Sequence, residues 1–328
     1  MSSGKTIPPR PHRGSACIGP AAVGVAFFCL CMGACILAND LNAGKETKKA
    51  FAIGAGSFAR SSPCDWTLLN FEKPAGKSSG QKGPSPSDPE NREGFVFDSF
   101  LSDEFAGATL DLSKWRPGVE GWNGRPPALF VPENLSQSGG MLRLKMAHQP
   151  VPAKFSAAGY KDYTTAAIQS RKAVLYGYFE IRAKIMPSAG SSAFWLAKAT
   201  PQNWNEIDVF EIGGKAPANP RRVFMDAHVF RSNGKTVGIS LPGAMTTAED
   251  MANDFHVYGL DWSASSIEMF VDGRRVRHIC NTSWHVPLNI ILDAETQGKW
   301  WGLPPWTDLP AVFQVDYIRV WHRAAKGE

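Results

Sequence analysis

Cysteine is scarce where a folded domain would use it. Four of the six cysteines, Cys17, Cys29, Cys31 and Cys35, fall in one apolar stretch near the N-terminus, leaving only Cys64 and Cys280 outside it. No spacing among them resembles a zinc site, and the two outer cysteines read equally as one disulfide or as two free thiols. Clustered positive charge is also missing. The formal net charge is +5, but residues 1–95 hold 11 Lys/Arg against 7 Asp/Glu, while residues 96–328 hold 24 against 23. The body of the chain is therefore nearly neutral and offers no basic face to a nucleic acid. The same balance neither supports nor excludes a sulfated ligand. Beyond the N-terminal segment no window has the apolar period of an amphipathic helix. No repeat of fixed period is present, which argues against a propeller.

What is present divides the chain into three expected parts. Lys5, Arg10 and Arg13 precede residues 14–39, which carry no charge. A basic start before an apolar run is the pattern of a secretory signal or membrane anchor, and residues 21–38 are about long enough to cross ~30 Å of hydrocarbon. Cleavage after Ala38, or lipidation at Cys35 in Met32-Gly33-Ala34-Cys35, are alternative fates of the same segment. Residues 1–38 are thus expected to export the chain to the periplasm, medium or cell surface. Residues 39–95 are rich in Gly, Ser, Pro and Lys and read as a linker. Residues 96–328 form the third part, a domain of short strands. Strict alternation over 179–185 predicts a half-buried antiparallel strand with one wet face. Segments 267–271 and 274–279 flank Asp272-Gly273, a hairpin signal. Further strands are expected at 141–146, 192–196, 223–230, 256–262, 288–292 and 313–321. Many short strands in one domain predict an all-β sandwich or barrel.

The chemistry concentrates in Trp204-Asn205-Glu206-Ile207-Asp208-Val209-Phe210-Glu211. On a strand, Glu206 and Asp208 share one face while Ile207 and Val209 share the other. Unbroken alternation would turn Glu211 into the core, where an unpaired carboxylate costs several kcal/mol. One β-bulge near Val209–Phe210 avoids this by returning Glu211 to the acidic face. Three crowded carboxyls cannot ionise independently. One protonated and one ionised carboxyl facing a sugar are the equipment for glycosidic hydrolysis, with retention if ~5–5.5 Å apart. A solvated acidic face and a calcium site are the plainer readings of three acids. The otherwise apolar strand and the flanking Trp195 and Trp204 favour catalysis. Trp is abundant overall, 11 against 6 Tyr.

The segment resembles the active-site strand of glycoside hydrolase family 16, in its bulged E-x-D-x-x-E form. The resemblance extends over residues 99–322. It is carried by Ser102-Asp103-Glu104-Phe105, Tyr176-Gly177-Tyr178-Phe179-Glu180-Ile181-Arg182-Ala183-Lys184, Ser192-Ala193-Phe194-Trp195-Leu196, Asp254-Phe255-His256-Val257-Tyr258-Gly259-Leu260-Asp261-Trp262, Phe270-Val271-Asp272-Gly273 and Val315-Asp316-Tyr317-Ile318-Arg319-Val320-Trp321. It implies a jelly-roll β-sandwich, concanavalin A-like, of two antiparallel sheets with a concave substrate cleft. It also implies Glu206 as nucleophile, Glu211 as general acid/base and Asp208 tuning the nucleophile. Trp195 is then a floor for sugar stacking, and Trp122, Arg125, His228, Trp284 and His285 lie along the cleft. Trp122-Asn123-Gly124-Arg125 and Trp300-Trp301-Gly302 are similar to the branch acting on red-algal galactans. The implied enzyme is an endo-β-1,4-galactanase, agarase-like ahead of κ-carrageenase-like, with a laminarinase third. A galactan-binding lectin-like sandwich and a transglycosylase are the rival classes. The expected partner is a polysaccharide, with no nucleic acid and a monomeric chain. No cofactor is required, and a structural Ca²⁺, which the resemblance allows, has no readable ligand set.

Overall fold

The computed structural model describes residues 58–60, 64–73, 87–88, 90–219 and 221–323. The apolar N-terminal segment lies outside the described residues. No helix among those described is long and apolar enough to cross a membrane.

Two sheets, of 12 and 9 strands among the described residues, pack into a jelly-roll sandwich. The 9-stranded sheet carries the acids and comprises β1 (Asn70–Phe71), β2 (Trp115–Pro117), β3 (Ala167–Val174), β4 (Ser191–Ala199), β5 (Trp204–Ile212), β6 (Arg222–Ser232), β7 (Lys235–Leu241), β8 (Ala244–Thr247) and β9 (Leu288–Glu295). Its spatial order is β1-β8-β6-β5-β4-β9-β3-β2, with β7 also paired to β6. The acid strand β5 is therefore central, between β4 and β6. Pairing is antiparallel except where β1 runs parallel to β8, and where Ala128–Phe130 runs parallel to Tyr163–Thr165 in the outer sheet.

The outer sheet is built around Gly177–Lys184, Ala311–Arg323, His256–Trp262, Ser266–Val271 and Arg274–Cys280. Residues alternating inward from both sheets make one core. Phe210 of β5 meets Tyr258 of the outer sheet with ring centroids 4.1 Å apart. The hairpin signal at Asp272-Gly273 is realised, with φ of 47° and 77°, the positive angles such a turn needs. The strand expected to have a wet face is drier than alternation implies. Glu180 is buried, because Tyr317 Oη donates to its Oε1 at 2.7 Å and Tyr178 lies beside it.

Part of the stretch read as linker is folded. Trp66–Leu68 pairs with Arg274–Cys280, Leu68 and Phe71 enter the core, and Cys64 is disulfide-bonded to Cys280. Gly/Ser/Pro composition averaged over 39–95 hides this short apolar run, whose partners lie some 200 residues away in sequence.

Candidate active site

The acid strand bends where a buried carboxylate would otherwise have to be tolerated. Across β4 the register runs Trp195↔Asp208 and then Phe194↔Phe210; across β6 it jumps from Asp208↔Asp226 to Glu211↔Phe224. Val209 is the extra residue. It and Phe210 both face the core, with Ile207 and Ile212, so Glu206, Asp208 and Glu211 share the opposite face. Their cross-strand neighbours on β4 are Ala197, Trp195 and Ala193. The two alanines add little bulk beside the outer acids, and the indole of Trp195 is the one large neighbour from β4.

Three further carboxylates join this face and were not anticipated. Asp226 and His228 come from β6, opposite Asp208 and Glu206. Asp293 and Glu295 come from the end of β9, extending three residues past the strand expected at 288–292. The signal was legible: Asn289, Ile291, Asp293 and Glu295 alternate with Leu288, Ile290, Leu292 and Ala294. Gln297 bridges the group, its Nε2 donating to Glu211 Oε1 and Glu295 Oε1 at 2.8 Å each. Arg125, partly buried, forms an ion pair with the buried Glu295, Nε to Oε2 at 2.8 Å. Trp195 Nε1 donates to Asp293 Oδ1 at 3.0 Å, and Trp122 meets Trp195 edge-on at 6.0 Å. Phe224 with Trp300 and Trp301, and Trp204 with Phe230 and His228, form aromatic stacks on either side of the acids.

Burial is the main force on these acids. It raises Glu206 to about 8, with Arg125 pulling down and Glu295 and Asp226 pushing up. It raises Asp208 and Glu211 well above their ordinary values, reinforced for both by surrounding carboxylates. Asp226 rises only to about 6, because the Gly243 amide and Arg277 favour its charge. His228 falls to about 4, through burial and then Arg277, and is a neutral imidazole 3.5 Å from Asp208 Oδ2. Glu206 Oε2, Asp208 Oδ2 and Asp293 Oδ2 are buried without a hydrogen bond. Donor atoms of Glu206, Asp208 and His228 lie within 4.8 Å of one another, as do those of Cys64, His278 and Cys280. The first set is two of the strand's own acids with His228 of the neighbouring β6, and two members of the second are joined in a disulfide, so neither is read as a metal centre.

Two expected cleft residues lie elsewhere. Trp284 is fully buried in the core behind the acid strand, where its Nε1 donates to the main-chain oxygens of Glu206 (2.9 Å) and His228 (3.0 Å). A buried indole needs an acceptor, and Trp284 finds two on the strands it supports. His285, next in the chain, points away to solvent and pairs with Tyr176 Oη at 2.9 Å, beside the turn into the outer sheet.

A jelly-roll sandwich carrying buried carboxylates and flanking aromatics on one sheet is the equipment of an O-glycosyl hydrolase. The chain belongs to glycoside hydrolase family 16: residues 95–323 match the family described as Beta-porphyranase A-D, GH16 domain. It is 30% identical over 234 residues to beta-porphyranase E of Zobellia galactanivorans, covering 65% of this chain and 81% of that protein. It is also 30% identical to beta-porphyranase B of the same organism over 192 residues, covering 53% of this chain and 64% of that protein. The crystal structure of porphyranase B from that organism superposes with a TM-score of 0.61 at 25% identity, over 70% of this chain and 92% of that one.

Proposed function

We propose that the chain is an exported, retaining endo-hydrolase of β-1,4 linkages in red-algal galactans, with porphyran ahead of agarose. The observation that carries the chemistry is the bulge at Val209, which puts Glu206, Asp208 and Glu211 on one face, with Trp195 across from Asp208. Glu206, by its place as the first acid of the bulged E-x-D-x-x-E strand, attacks the anomeric carbon in its ionised form. Glu211, whose proton burial and the neighbouring carboxylates help to hold, gives it to the departing oxygen and then takes one from the incoming water. Gln297 holds Glu211 Oε1 through both steps. Asp208 sits between them on the strand, and burial together with the charges of Glu206 and Glu211 favours keeping a proton on its own carboxyl.

Porphyran is ranked first because the matched family and both relatives above carry that activity in their names; the sequence reading had placed agarose first. Arg125 is spent on Glu295, so its charge is already matched and does not call for a sulfate over the acids. That favours an unsulfated sugar over the acid strand and disfavours κ-carrageenan. The full chain should be incubated with porphyran, agarose, κ-carrageenan and laminarin, with reducing ends measured. New reducing ends from porphyran or agarose are expected. Cleavage of κ-carrageenan or laminarin alone overturns the substrate, and chain re-ligation without new reducing ends overturns hydrolysis.

A further inference from the structure

Asp226 stands across from Asp208 on the site face, yet part of what holds it comes from the other sheet. The Gly243 amide, between β7 and β8, donates to Asp226 Oδ1 at 2.8 Å. Against Gly243 lies the guanidinium of Arg277, from the outer strand Arg274–Cys280. A Cβ at position 243 would sit 1.8 Å from Arg277 Nη1, so only glycine lets the cation close in. Arg277 is 3% exposed. Its Nη1 donates to Thr67 Oγ1, and its Nη2 to the Leu241 carbonyl at 2.7 Å. Thr67 lies on Trp66–Leu68, which pairs directly with Arg277 and His278 and is tied by the Cys64–Cys280 disulfide. That segment precedes residue 95, where the family match begins.

We propose that Arg277 is a positioning residue for the acid strand, acting through Gly243 and Asp226, and that the segment 64–71 is the part of the domain that seats it. The titratable and charged groups around Asp226 are Asp208, Glu206 and Glu211 from β5, the neutral His228 from its own strand and Arg277 from the outer sheet, with Asp65 beyond Arg277. Arg277 and the Gly243 amide keep Asp226 ionised at neutral pH despite burial. The negative charge of Asp226 in turn helps Glu211 hold its proton. Without the cation Asp226 keeps a proton itself, one repulsive charge disappears, and Glu211 releases its proton at lower pH. The alkaline limb of kcat/KM then moves toward acid.

The test compares full-length Arg277→Met, Arg277→Lys, Asp226→Asn and the Met/Asn double variant, reading kcat/KM against pH and the His228 titration by NMR. Arg277→Met should lower the alkaline limb by about one unit and kcat about tenfold, with KM within about twofold. Lysine, which restores the charge, should recover part of both. Asp226→Asn should reproduce the limb shift, and the double variant should add nothing, because both act on one path. In Arg277→Met the His228 pKa should rise. An unmoved limb in a folded Arg277→Met, or additive shifts in the double variant, overturns the proposal. If Arg277→Met does not fold, Thr67→Val removes only the seat, and it must move the limb the same way or the proposal fails. The limb shift rests on Glu211 being the proton donor. The His228 titration needs no substrate and so fails only with Arg277, whereas full activity in Glu211→Ala fails the assignment of Glu211.

Discussion

Glu206 and Glu211 are chemically the same residue, and their proposed roles separate by what each variant still does. Glu206→Ala should lose turnover by about three or more orders of magnitude while keeping its fold. Azide entering the vacated space should give an inverted glycosyl azide. Glu211→Ala should still form the covalent intermediate from glycosides with good leaving groups, and azide should resolve it with retention. Asp208→Asn should be slowed without being dead. Inverted product from Glu211→Ala, or near-normal turnover in Glu206→Ala, would contradict the roles. The same burial has a cost in stability, with a definite sign. Glu206 is raised from 4.5 to about 8 in the folded chain, so between those pH values the folded state binds more protons than the unfolded one. Stability therefore falls as pH rises through that window. Glu206→Gln, which carries no charge at any pH, should melt several degrees above the parent at pH 8 and close to it at pH 4. A Tm difference that does not grow with pH would rule this out.

At the scale of the strand, the bulge at Val209 is the device on which the site depends. It was legible because Glu206-Ile207-Asp208-Val209-Phe210-Glu211 cannot alternate without burying an acid among apolar residues. The polar run Asp293, Glu295 and Gln297 was equally patterned, yet nothing local says that β9 lies next to β4 rather than at an edge. Trp284 shows the opposite failure. The family resemblance implies a cleft pair at Trp284-His285, but consecutive residues point to different sides, and only packing decides which side is inside. The two placements differ in kinetics. Trp284→Phe leaves two main-chain acceptors of β5 and β6 without their donor, which should cost about 1–3 kcal/mol of stability. It should lower kcat through the displaced acid strand while leaving KM within about twofold. A raised KM with unchanged Tm would instead return Trp284 to the substrate.

For the molecule as a whole, the catalytic domain begins before the family match. The Cys64–Cys280 bond closes 216 residues of chain, and Leu68 and Phe71 are core residues. Cys64→Ser/Cys280→Ser should lower stability by about 2–5 kcal/mol, seen as a Tm drop of roughly 5–15 °C. A chain starting at residue 95 should be less stable still and expose apolar surface. Equal melting of all three would show that the segment is ornamental. The Cys64–Cys280 disulfide also fits the proposed export, since such bonds persist in oxidising surroundings. Protease added to intact cells should digest or release the domain, and full protection with an unprocessed N-terminus would refute it.

Local pattern alone determined the all-β class, most strand positions, the Asp272-Gly273 turn and the three acids with their bulge. Each rests on alternation or on the conformation of one or two residues, which neighbours in sequence settle. Tertiary structure decided the rest: that Asp226, Asp293 and Glu295 crowd the same site, that Trp284 lies behind it, and that Thr67 meets Arg277 in the far sheet. Those facts depend on which strands become neighbours. That choice is made by burying both apolar faces at once, across separations of up to about 200 residues that no local pattern encodes.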